Sequence, residues 1–147
     1  MDSTATPHTT QVRQRILIID DHPLVRRGLG ALIDNEPDFM VCAAATHGEG
    51  FKSIGTARPD LVITDLWLEE TDGFGMIEEI RASHVDLPVL VLSMHAAPHY
   101  VRRALNAGAN GYVSKQEIGE TLLIAIRCVL DGETYVSPKL RTGLDSG

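Results

Sequence analysis

Four points along the chain carry side chains able to do chemistry together. Two adjacent carboxylates, Asp20 and Asp21, follow the apolar run Ile16–Ile19. A third carboxylate, Asp65, follows Leu61–Thr64. The hydroxyl of Ser93 follows Pro88–Leu92, and the ammonium of Lys115 follows Gly111–Val113. Lysine is scarce here, with Lys52, Lys115 and Lys139 the only three. Three carboxylates held close repel one another and call for a cation. Hard oxygen donors in small number suit Mg2+, which keeps several of its waters. A carboxylate nucleophile beside such a cation and a lysine can accept a phosphoryl group as an acyl phosphate. Singly, each residue has a plainer role: Asp20 or Asp21 as a helix cap, Asp65 as a turn residue, Ser93 as a cap, Lys115 as a solvated charge. Complementary groups at four separate strand ends favour the chemical reading.

The elements that must position them follow from hydrophobic periodicity. Five short apolar runs are read as strands: Ile16–Ile19, Met40–Ala45, Leu61–Thr64, Pro88–Leu92 and Gly111–Val113. Each is followed by a helical pattern. Val25, Leu29, Leu32 and Ile33 recur at helical spacing behind Pro23, and Phe51, Ile54 and Ala57 suggest a short helix. Phe74, Ile77 and Ile80 form the next, with Arg81 outside the stripe. Val101, Ala104 and Leu105 precede a stop at Gly108, and Ile118, Leu122, Ala125, Ile126 and Val129 precede Asp131-Gly132. Continuously apolar strands are buried on both faces, the mark of a parallel sheet covered by helices. The expectation is a doubly wound α/β fold with a five-stranded parallel sheet, whose chemistry collects at the carboxyl ends of the strands. Residues 1–14 are read as a disordered tail, 15–132 as the domain and 133–147 as a linker.

Composition limits the alternatives. With 147 residues, 44% hydrophobic and 22% charged, the chain suits one domain with a real core. Its formal net charge is −7 and it has no Lys/Arg run, so the chain itself is a poor nucleic-acid binder. The longest apolar stretch, Leu87–Leu92, is too short to span a bilayer, and a soluble, cytoplasmic protein is expected. Cys42 and Cys128 read as buried reduced thiols. His22, His47, His84, His95 and His99 are scattered without zinc spacing and are given no metal role.

The stretches I-L-I-I-D-D-H-P-L-V-R-R-G-L, D-L-V-I-T-D-L-W-L-E-E-T-D-G, V-L-V-L-S-M-H and G-A-N-G-Y-V-S-K resemble the receiver domain of bacterial two-component response regulators. The D-D-H-P opening and the S-M-H resemble the LuxR-type (NarL/FixJ-like) subfamily. The resemblance covers about Arg15 to Ser137. It implies a flavodoxin-like sheet of order 2-1-3-4-5, with Asp65 as phosphoacceptor. It implies Mg2+ as cofactor, held by Asp20, Asp21, Asp65 and the main-chain carbonyl of Trp67, with Asp21 the direct ligand of the acidic pair. Ser93 and Lys115 would assist as catalytic groups on the phosphoryl oxygens, and Ser93 with Tyr112 would form the switch. The implied partners are a sensor histidine kinase and, on phosphorylation, a second copy of the chain. DNA would be reached only through a C-terminal domain outside this sequence, and no membrane is involved. Two positions depart from the family pattern: Glu69 and Gln116 stand where proline is common.

The same residues bear on two other readings. A carboxylate-nucleophile phosphatase needs a second Asp two residues after the nucleophile, and Trp67 stands there. A stand-alone or phosphorylation-independent interaction module would be expected to have lost part of the set that Asp20, Asp21, Ser93 and Lys115 complete. The reading adopted is a signalling switch, not an enzyme beyond its own phosphorylation and dephosphorylation.

Overall fold

The computed structural model describes residues 12–68 and 71–146. Glu69, and all but the last three residues of the expected N-terminal tail, lie outside them. The elements in chain order are β1 (Gln14–Ile19), α1 (Pro23–Asp34), β2 (Phe39–Ala45), α2 (His47–Ala57), β3 (Leu61–Thr64), β4 (Trp67–Leu68), β5 (Thr71–Asp72), α3 (Gly73–Ser83), β6 (Val89–Ser93), α4 (Pro98–Ala107), β7 (Gly111–Ser114), a 3-10 turn (Lys115–Glu117), α5 (Glu120–Leu130), β8 (Tyr135–Val136) and α6 (Pro138–Ser146).

Alternation along the strands builds two cores. Successive side chains point to opposite faces of a sheet. Leu17, Ile19, Val62, Val89, Val91 and Tyr112 therefore face one way, where α2, α3, α4 and α6 supply Ile54, Ile77, Val101 and Leu140. Ile16, Ile18, Leu61, Ile63, Leu90, Leu92 and Val113 face the other, against Leu29 and Ile33 of α1 and Leu122 and Ile126 of α5. Every residue of Ile16–Ile19 is at most 1% exposed, which explains why the run shows no polar alternation.

The main sheet has the order β2-β1-β3-β6-β7-β8 and is parallel throughout. Its first five strands reproduce the expected 2-1-3-4-5 order. The sixth corrects the expectation of five. Gly111 pairs with Tyr135 and Tyr112 with Val136, and Tyr135 and Ser137 donate backbone N–H groups to the carbonyls of Asn110 and Tyr112. The stretch expected to be a linker thus supplies a strand and a helix. The expected tail is also too long by a residue, since Gln14 opens β1 beside Phe39. The two thiols are half-buried rather than buried, and burial raises both above the ordinary thiol value.

Local chemistry fixes the helix ends. Pro23 and Pro98 open α1 and α4, where a missing N–H costs nothing. Thr46 donates its backbone N–H to the Glu49 carboxylate at 3.1 Å at the start of α2. Arg15 closes the other end of α2 by donating Nε and Nη2 to the carbonyl of Ala57. Arg81, outside the apolar stripe as the periodicity indicates, ties the end of α3 to the turn before β7. Its guanidinium reaches the carbonyls of His84, Val85 and Gly108 and the side-chain oxygen of Asn110.

Candidate functional site

Three strands of the sheet deliver the charged residues to one edge. The backbone N–H of Asp65, just past β3, donates to Ile19 at the end of β1. Lys115 leaves β7 in the 3-10 turn, whose first bend is closed by the Gln116 N–H donating to the Ser114 hydroxyl at 3.1 Å. From there Lys115 Nζ donates to Asp20 Oδ2 at 2.9 Å and to Asp65 Oδ2 at 2.8 Å. All three side chains are at most 10% exposed. Burial works against the Lys115 ammonium, yet its hydrogen bonds to Asp65 and Asp20 outweigh that and hold it above the ordinary lysine value.

The loop after Asp65 is tightly drawn. Directly after Asp65 and Leu66, β4 and β5 form a two-residue antiparallel pair, Trp67 opposite Asp72 and Leu68 opposite Thr71. Gly73 then donates its N–H to the carbonyl of Leu66 at 2.9 Å. A Cβ at Gly73 would lie 2.5 Å from that carbonyl oxygen and 2.8 Å from the carbonyl of Asp65, so only glycine lets the chain pass this close to Asp65.

Ser93 ends β6 opposite Ser114, Tyr112 lies on β7 opposite Val91, and both are fully buried. The Ser93 hydroxyl accepts the N–H of His95 at 3.1 Å. Tyr112 is inward, and its phenol donates to the carbonyl of His95. Burial pushes the phenol up to about 12; a hydrogen bond with Ser93 works against this, and the charge of Asp65 adds to it. The Asp65 carboxylate and the ring therefore sense each other electrostatically.

The structure thus brings Asp20, Asp65 and Lys115 together at one edge, with Ser93 and Tyr112 on the neighbouring strands β6 and β7 joined to the loop at His95. Asp21 is adjacent and half-buried. The main chain of Trp67 lies in β4, two residues past Asp65. His22, given no metal role from the sequence, lies beside these carboxylates. Among the described residues, Asp20, His22 and Asp65 are the group of three whose ligand atoms lie within 4.8 Å of one another. The signal was its place at the N-cap of α1, two residues past Asp20, where a carboxylate can accept from the backbone. The two buried carboxylates, Asp20 and Asp65, are hard oxygen donors of the kind that fits Mg2+, while the His22 ring nitrogen is engaged with Asp20 Oδ1.

Comparison with known proteins agrees with this geometry. Residues 16–127 match the response regulator receiver domain model. The chain is 38% identical over 128 residues to the methanol utilization control regulatory protein MoxX of Paracoccus denitrificans, covering 86% of this chain and 57% of that protein. It is 36% identical over 132 residues to the oxygen regulatory protein NreC of Staphylococcus epidermidis, covering 88% of this chain and 61% of that protein. The chain therefore spans about three fifths of the length of these relatives. A crystal structure of a LuxR-family two-component response regulator from Aurantimonas sp. SI85-9A1 superposes with a TM-score of 0.88 at 32% identity, covering 92% of this chain and 97% of that one. With the acidic edge, the lysine bridge and the sheet order already in place, these matches establish that the chain belongs to the response regulator receiver domain family, in its NarL/LuxR-type branch.

Proposed function

We propose that the chain is a phosphorylation-dependent switch that accepts a phosphoryl group on Asp65 from a histidine of a partner sensor kinase. A carboxylate oxygen of Asp65 forms the new P–O bond. The P–N bond of the phosphohistidine breaks, and its electron pair leaves with the donor imidazole. The observation that carries this reading is the Lys115 ammonium shared between Asp65 and Asp20 at the sheet edge. Phosphoryl transfer needs positioning and charge neutralisation more than covalent chemistry, and this edge supplies both.

In this reading Asp20, Asp21, Asp65 and the carbonyl of Trp67 hold Mg2+, which when bound neutralises charge on the phosphoryl oxygens. Lys115 follows the transferred group by exchanging its bond to Asp65 for one to a phosphoryl oxygen. Ser93 turns its hydroxyl from its present partners to the same group, the nearby neutral donor to a new strong acceptor. His95 and Tyr112 then feel the change, because both are bonded through this pair of strands. The shifted face would alter self-association to a homodimer. Output runs through a C-terminal DNA-binding domain beyond this chain, in keeping with its acidic charge and with the longer relatives. Such a switch works in the cytoplasm; among the described residues no helix is long and apolar enough to cross a membrane.

The test is phosphorylation by acetyl phosphate with Mg2+, followed by intact-mass spectrometry on wild type and Asp65→Asn. Wild type gains one phosphoryl group, and EDTA prevents it. Uptake by Asp65→Asn at the wild-type level overturns the assignment.

A further inference from the structure

The two oxygens of Asp20 have separate partners. Oδ2 receives Lys115 at 2.9 Å. Oδ1 receives two donors from one residue, the His22 backbone N–H at 2.9 Å and the His22 ring Nδ1 at 3.0 Å. The Asp20 side chain is 3% exposed and the His22 ring 60% exposed. Arg26, one turn further along α1, donates Nη1 to the main-chain carbonyl of Asp20. The start of α1 therefore grips Asp20 at its backbone and at one carboxylate oxygen.

Since Asp20 already holds an ammonium on Oδ2, its Oδ1 acts as an acceptor. The ring nitrogen that faces it must carry the proton. This fixes Nδ1–H on His22 whether the ring is neutral or charged, and leaves Nε2 toward solvent.

We propose that His22 is a positioning residue for the metal- and phosphoryl-binding edge: it clamps Asp20 Oδ1 from outside so that Oδ2 stays turned toward Asp65 and the incoming cation. The proposal rests on the phosphorylation reading above and deepens it. The terminal torsion of an Asp side chain is broad, so an unclamped carboxylate would sample orientations that waste its second oxygen. Outer partners that orient a ligand typically govern metal affinity by 10- to 100-fold. His22 thus acts on the site without touching the reacting atoms.

The experiment compares wild type, His22→Asn and His22→Leu, each checked for folding by thermal melting. Asn keeps a side-chain N–H where Nδ1 stands; Leu removes it and keeps bulk. Mg2+ affinity, read by titration calorimetry, should stay within about threefold in His22→Asn and fall about tenfold in His22→Leu. A long-range proton–nitrogen correlation on the metal-free protein should show the Nδ1–H form of His22. Unchanged Mg2+ affinity in His22→Leu, equal loss in both variants, or an Nε2–H ring overturns the clamp. If instead Asp65→Asn is phosphorylated normally while His22→Leu still loses Mg2+, the phosphoacceptor reading falls and the clamp stands.

Discussion

The Tyr112 phenol donates to the backbone carbonyl of His95 at 2.5 Å, which fastens a fully buried ring on β7 to the loop leaving β6. The same loop gives its His95 N–H to Ser93. A change at Ser93 therefore cannot leave Tyr112 untouched.

The burial of this phenol has a pH signature. The buried phenol titrates at about 12, above its ordinary value. A proton held more tightly in the folded state stabilises it fully below the unfolded value, about pH 10, and that contribution is lost as pH rises through 12. Lys115, also raised, loses its contribution in the same direction. The phenolate absorbance of wild type minus Tyr112→Phe should show one group with a midpoint near 12. A midpoint at the ordinary tyrosine value contradicts the burial argument.

Lys115→Met leaves Asp20 and Asp65 facing each other without their shared cation. In EDTA the variant should lose about 3 kcal/mol of stability, the usual cost of removing one partner of a buried ion pair. Mg2+ should restore more stability to the variant than it adds to wild type, since it replaces the lost positive charge. Urea midpoints with and without Mg2+ measure both effects.

Gly73→Ala places a methyl 2.5 Å from the Leu66 carbonyl oxygen, against rigid backbone. The expected cost is about 2–3 kcal/mol, because the main chain itself must shift. Phosphorylation of Asp65 should slow as well, since the same shift moves the acceptor loop. Chemical denaturation and the rate of acetyl phosphate labelling check the two halves independently.

Leu140 lies on α6, is 5% exposed, and belongs to the core that contains Val101, Ala104 and Tyr112. Leu140→Ala should destabilise the domain by about 2–3 kcal/mol. A free linker would give no change, so the urea midpoint decides whether the end of the chain is part of the domain in solution.

The strands and their chemistry were legible for one physical reason. Runs such as Ile16–Ile19 and Leu61–Thr64 are buried on both faces, so they stand out as unbroken apolar segments that stop at a charge. Asp20, Asp65, Ser93 and Lys115 could be found because the fold puts strand ends together. β8 and α6 carry no clear signal because Tyr135 and Val136 are too few to show a period, and Leu140 is the core residue of α6 among its described side chains. His22 was passed over for a different cause. Its role depends on a bond to a residue two positions away, which hydrophobic patterning does not record. The β4–β5 pair beside Asp65 was invisible likewise, two residues a side being below any repeat.

β8 also has a bearing on solubility. A bare edge strand offers a row of unpaired N–H and C=O groups that can template pairing with another chain. Tyr135 and Ser137 occupy the carbonyls of Asn110 and Tyr112, so the first half of the outer margin of β7 is spent within the molecule. A chain ended at Gly132 would expose that margin with the apolar residues around Tyr112 beside it. Such a truncated protein should aggregate through strand addition whether or not Asp65 is intact, and its oligomers would have nothing to do with signalling.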